Sequence, residues 1–144
     1  MCLFKDQGVY VDNSNELNGK KVMIIDDSNT VRRSAELFLE TVGCEVISAT
    51  DGFDAMSKII DNQPDIIFLD IVMPLLDGYQ TCMLIKKNIH FQSTPVIMLS
   101  SKNGLFDKAR GRMAGSDDYL TKPFTKEELL DVIRRFTLQL STTN

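Results

Sequence analysis

From Lys20 onward, short apolar runs alternate with stretches whose apolar residues recur every three or four positions. The runs near 21–26, 45–49, 65–70, 95–99 and 117–120 have strand length, and a helical pattern follows each. Such alternation predicts an α/β fold, a doubly wound five-stranded parallel sheet with helices on both faces. In the first helix Val31, Ala35, Phe38 and Val42 keep helical spacing, and Gly43 can supply a left-handed stop. "DGYQ" at 77–80 and "TKEE" at 125–128 each place an N-cap residue three positions before Gln or Glu, the spacing of a capping box. The last helix is expected to bury Leu129, Val132, Ile133, Phe136 and Leu140. The fourth, around "GLFDKARGRMAG", carries Gly104, Gly111 and Gly115; each costs about 1 kcal/mol against Ala in a helix interior, so this helix is expected to be the loosest.

Residues 1–19 show no sustained period and read as a loosely ordered extension, followed by one domain over 20–140 and a short tail at 141–144. With 144 residues, 43% of them apolar, the chain can bury one sizeable core. A net charge of -4 and a pI of about 4.9 argue against a nucleic-acid partner, which would ask for a clustered basic face. The apolar runs are too short to span a bilayer and "MCLFKDQGVY" lacks a signal-peptide apolar segment, so a cytoplasmic location with no membrane contact is expected. Cys2, Cys44 and Cys82 are odd in number and widely spaced beside a single histidine, His90, which makes disulfides and structural zinc improbable. Cys44 and Cys82 fall in apolar patterns and read as core residues, Cys2 as an exposed thiol, His90 as a surface residue and the methionines as core.

The chemistry gathers at strand ends. "VMIIDDSN" at 22–29 runs from a buried strand into two acids, and its plainest reading is a polar turn with Ser28 or Asn29 capping the next helix. Yet the third strand also ends on an acid, Asp70 in "PDIIFLD"; the fourth ends at Ser100 in "PVIMLSS", and the fifth leads into Thr121-Lys122-Pro123. In an open parallel sheet those ends border the ligand crevice. Two carboxylates 4 Å apart repel by roughly 4 kcal/mol at an effective dielectric of 20, so three together call for a cation or shifted pKa values. An oxygen-only set points to Mg²⁺, which leaves coordination positions for water and an incoming phosphoryl group.

These residues carry a resemblance. "IIDDS", "DIVMPLLDG", "VIMLSS" and "YLTKPF", in that order, make residues 20 to about 138 similar to the receiver domains of bacterial response regulators, whose fold is flavodoxin-like (CheY-like). The resemblance implies that Asp70 is phosphorylated from a phosphohistidine on a kinase or phosphotransfer protein. It implies Mg²⁺ held directly by Asp27, Asp70 and the Val72 carbonyl, and by Asp26 through water. Lys122 would pair with the phosphoryl oxygens, Ser100 would donate its hydroxyl, Tyr119 would be the rotameric switch and Pro123 would follow a cis bond. The protein would then be a phosphoacceptor that catalyses only its own phosphoryl transfer and dephosphorylation.

"SNTVRRSAELFL", "DGYQTCMLIK" and the stretch from Ser100 to Leu130 are closely similar to the PilG-type twitching-motility regulators of type IV pilus systems. That similarity implies a chemotaxis-like histidine kinase or histidine phosphotransfer domain as donor. It also implies a pilus-control protein as target, docking on the face of helix four, strand five and helix five. With only "STTN" after Leu140, docking is the expected output. An alternative is a phosphorylation-independent adaptor, against which the intact acid cluster speaks. A flavodoxin-like electron carrier would need Gly, Ser and Thr amides where the chain has "DDSNTVRR", and a Mg²⁺-dependent phosphatase would need a second general acid that the sequence does not indicate.

Overall fold

The structure, a computed structural model, describes residues 14–101 and 105–138. Cys2, Gly104, Leu140 and the expected tail lie outside them. Five strands, β1 (Lys21–Ile25), β2 (Glu45–Ala49), β3 (Ile66–Asp70), β4 (Val96–Ser100) and β5 (Asp118–Thr121), form one parallel sheet in the order β2-β1-β3-β4-β5. Helices α1 (Asn29–Glu40), α2 (Gly52–Asn62), α3 (Gly78–Lys87), α4 (Leu105–Met113) and α5 (Lys126–Thr137) follow the strands in turn. The chain leaves β1 toward β2 on one side and crosses to β3 on the other, so the topology switches direction at β1 and β3.

β3 and β4 are buried at every position, as strands covered on both faces must be. Alternate residues feed two cores. Val22, Ile24, Ile66 and Phe68 pack with Ala35, Leu39, Leu129 and Ile133 of α1 and α5. Met23, Ile25, Ile67 and Leu69 pack with Ala55, Ile59, Cys82 and Ile85 of α2 and α3.

The local signals act as the sequence suggests. Ser28 caps α1, its hydroxyl accepting from the Val31 N–H, and Asp77 with Gln80 and Thr125 with Glu128 form complete capping boxes. Gly43 has φ +80°, where a side chain would also collide with Asn18, so glycine alone turns the chain from α1 into β2. Cys44 and Cys82 are buried, and burial pushes both thiols up to about 11.

Three expectations need correction. The domain begins before Lys20: Ser14–Leu17 form a helical turn, Leu17 is fully buried among α1 and α5 residues, and the Gly19 N–H donates to the Gly43 carbonyl. An isolated Leu has no periodic neighbours to betray its burial. Gly115, with φ +99°, lies beyond α4 rather than inside it, while interior Gly111 lets the helix approach Met98. Met113 and Met83 are exposed rather than core.

No described apolar side chain of α4 is buried. Its described side chains reach the body through two cation–π contacts, Lys108 Nζ at 4.5 Å from the Tyr119 ring centre and Arg110 at 4.1 Å from that of Tyr79. Such contacts are worth about 0.5–1 kcal/mol each at exposed sites, far less than a buried leucine.

Candidate functional site

The Ile25–Leu69 pairing of β1 with β3 brings the next residues, Asp26 and Asp70, side by side at the carboxyl end of the sheet. Asp27 joins them, and carboxylate oxygens of the three lie within 4.8 Å of one another. Asp26 is wholly buried, Asp70 5% exposed and Asp27 open to solvent. Asp27, Asp70, Val72, Ser100 and Lys122 line one cleft of about 310 Å³.

Each side chain is held from its own element. The Ser28 N–H donates to Asp26 Oδ1 at 2.9 Å, a local Asx turn that the Asp-x-Ser spacing encodes. Arg32, one turn into α1, donates to the Asp26 carbonyl at 2.5 Å and fixes the strand end from behind; the sequence reading missed this contact. Gly78 packs so closely on the strand end that a Cβ there would stand 2.7 Å from Ile71 Cα, which explains glycine after Asp77. Ser100 ends β4 and is nearly buried. The Lys122 N–H donates to the Ser100 carbonyl at 2.6 Å, and the Lys122–Pro123 bond is cis.

Lys122 Nζ donates to Asp26 Oδ2 and to Asp70 Oδ1, each at 3.1 Å. Burial favours its neutral form, but hydrogen bonds and the charges of Asp26 and Asp70 outweigh that and hold its pKa above the ordinary lysine value. Asp70 is pushed up to about 6, first by burial and next by the neighbouring Asp26 charge, with Lys122 and the Val72 backbone opposing. A carboxyl raised in this way holds its proton more tightly than an exposed aspartate does.

The donor set fits a hard divalent cation. It is all oxygen, it mixes one open carboxylate with two buried ones, and the charge it would offset exceeds what one lysine supplies. Tyr119 stands apart from this group: half-buried on β5, it pairs in register with Met98 while Ser100 pairs with Thr121, so Tyr119 and Ser100 share a sheet face. His90 is exposed and away from the cleft.

Comparison with known proteins agrees with this arrangement. Residues 22–134 match the response regulator receiver domain. The chain is 69% identical over 117 residues to Protein PilG of Pseudomonas aeruginosa, covering 81% of this chain and 87% of that one. It is similar in structure to the chemotaxis protein CheY4 of Vibrio cholerae, with a TM-score of 0.79 and 30% identity over 82% of this chain and 98% of that one. It is also similar to the receiver domain of the sensor histidine kinase PA1611 from Pseudomonas aeruginosa, whose structure has a magnesium ion coordinated in the active site cleft. That match has a TM-score of 0.77 and 28% identity over 83% of this chain and 98% of that one.

Proposed function

The chain belongs to the response regulator receiver domain family, and from that premise we propose that Asp70 accepts a phosphoryl group from a phosphohistidine and that the charged protein signals by docking to another protein. One observation carries this reading: Lys122 Nζ sits 3.1 Å from a nearly buried Asp70 at the rim of an open cleft. A buried carboxylate with a cation on one oxygen and solvent access for a partner is arranged to attack, not merely to cap a strand.

In the transfer, an Asp70 oxygen forms a bond to phosphorus as the bond from phosphorus to the imidazole nitrogen breaks, and the imidazole keeps the electron pair. Such transfer asks for positioning and for positive charge against the phosphoryl oxygens. Lys122 supplies that charge, and Ser100 donates its hydroxyl to one oxygen. Asp26, Asp27, Asp70 and the Val72 carbonyl are the groups that would hold Mg²⁺, which supplies further charge neutralisation to the transferring group. Ser28 and Arg32 keep Asp26 in place through the contacts described above.

Ser100 moves toward the phosphoryl group, Tyr119 turns inward on the same sheet face, and α4, lightly held, shifts. The face of α4, β5 and α5 then meets the target. The 69% identity to Protein PilG supports a role in the control of twitching motility by type IV pili, with a chemotaxis-like histidine kinase or phosphotransfer domain as donor, in the cytoplasm. Incubation with acetyl phosphate and Mg²⁺ followed by intact mass tests the core of this reading. One alkali-labile phosphoryl group should appear on the unmutated chain and none on Asp70→Asn; a phosphoryl group mapped to Ser, acid-stable, or to His, alkali-stable, would overturn it.

A further inference from the structure

Met83 on α3 and Met113 on α4, both expected in the core, are 45% and 87% exposed. With Tyr79, Arg110 and Ala114 they line a cleft of about 270 Å³ between the two helices, which shares no residue with the Asp70 cleft. Gln80, Met83, Leu84 and Lys87 are all exposed at spacings of three and four, so a two-turn stripe of α3 looks outward and carries the apolar surface away from the cleft. Methionines at the mouth of a cleft add little to the stability of the chain alone. Their unbranched thioethers suit a surface that must fit itself to another side chain.

The charge around this cleft runs against that of the chain. The net charge is -4, yet the sequences of α3 and α4 hold Lys86, Lys87, Lys108, Arg110 and Arg112 against a single acid, Asp107. Lys86 is taken by Asp117 at 2.8 Å, but among the described residues Lys87, Arg110 and Arg112, all exposed, have no ion pair. Arg110 lies over the Tyr79 ring at 4.1 Å from its centre, and a guanidinium held flat in this way keeps its N–H groups in its own plane, free for a carboxylate. We propose that the α3–α4 cleft docks an acidic helical segment of a partner protein, with an apolar side chain entering between Met83 and Met113 and carboxylates meeting Arg110 and Lys87. The groove between two helices is the shape that a third helix fills, and unpaired cations beside an apolar cleft select for acids flanking an apolar anchor. A nucleic acid would use the cations and leave the methionines uncovered, and a flat anionic bilayer would not fill the cleft and would repel the chain's net charge. Lys108 reaches β5 and Arg110 reaches α3, so the cleft uses the flank of α4 turned away from β5 and requires no phosphoryl group on Asp70.

The probe is a synthetic amphipathic helix of about sixteen residues, with leucines every three or four positions and glutamates between them, paired with a second peptide in which lysine replaces each glutamate. Methyl NMR of methionine-labelled protein, without Mg²⁺ or phosphodonor, should show the Met83 and Met113 signals moving with the glutamate peptide and staying in place with the lysine peptide. Arg110→Glu should weaken binding about tenfold or more, and so should Lys87→Glu, whose exposed side chain leaves the fold intact when changed. Arg33→Glu makes the same change of net charge on α1, and should leave binding within about twofold. Met113→Ala should weaken binding about tenfold at an unchanged melting temperature. No binding of the glutamate peptide, equal binding of both peptides, or equal losses in Arg33→Glu and Arg110→Glu would overturn the proposal. So would tighter binding of phosphatidylglycerol vesicles or of a DNA duplex than of the glutamate peptide.

Discussion

Lys122 Nζ lies 3.1 Å from Asp70 Oδ1, joining residues 52 positions apart, and the same ammonium lies 3.1 Å from Asp26 Oδ2. One cation thus serves two buried acids while remaining close enough to the cleft to meet an arriving phosphoryl group. Lys122→Ala should cost about 3 kcal/mol at neutral pH without divalent cations, because it leaves two buried acids facing one another. It should also slow uptake from acetyl phosphate about a hundredfold, the size of effect seen when one preorganised charge is removed. Urea denaturation and timed intact mass measure the two, and an unchanged rate would separate Lys122 from the chemistry.

The raised pKa of Asp70 has a stability consequence with a definite sign. In the folded chain it ionises at about 6 rather than its ordinary 3.8. The folded state holds a proton that the unfolded chain releases, so the contribution of this group is present below about pH 4 and lost as pH rises through about 6. Asp70→Asn should therefore gain on the unmutated chain across that window, by up to about 3 kcal/mol above it. Urea denaturation from pH 4 to pH 8 in a chelator should show the two curves separating; parallel curves would contradict the strained carboxylate.

Divalent cations should reverse that penalty. Mg²⁺ at a hundredfold excess over its dissociation constant should stabilise the unmutated chain by about 2.7 kcal/mol. Asp27→Ala, which removes the open carboxylate of the cluster, should lose most of that response. Equal Mg²⁺ affinities by titration calorimetry would argue against the cluster as the metal site.

The Lys108 ammonium over the Tyr119 ring favours the half-buried position of that ring. Lys108→Met should raise the inward population about threefold, the equivalent of one exposed cation–π contact. Beryllofluoride with Mg²⁺ should drive the ring inward in the unmutated chain, with chemical shifts spreading from Asp70 through Ser100 to Tyr119. Ser100→Ala should interrupt that spread. Fluorotyrosine NMR reads both changes, and shifts confined to the acid cleft would refute the coupling.

How much of this was legible beforehand depended on the range of the interaction. Strand and helix positions, both capping boxes, the Ser28 cap and the turn at Gly43 rest on residues within four positions of one another, so linear spacing encodes them. The convergence of Asp26, Asp27, Asp70, Ser100 and Lys122 was also readable, because in a parallel sheet every strand ends at the same edge. What the edge does chemically was not. That Lys122 bridges Asp26 and Asp70 depends on the pairing of β1 with β3, on the placing of β5 beyond β4 and on depths of burial that no spacing records. The burial of Leu17, the grip of Arg32 on the Asp26 carbonyl and the seating of Lys108 on Tyr119 likewise arise only when elements pack. Leu75 shows the limit most plainly. Its neighbours "MPLLDG" announce a turn, but which residue takes the positive φ and points its side chain to solvent is decided by the loop closing between Ile71 and Gly78. Periodicity determined which elements form; the sheet order, by setting which strand ends share a wall, determined which charges must share a cation.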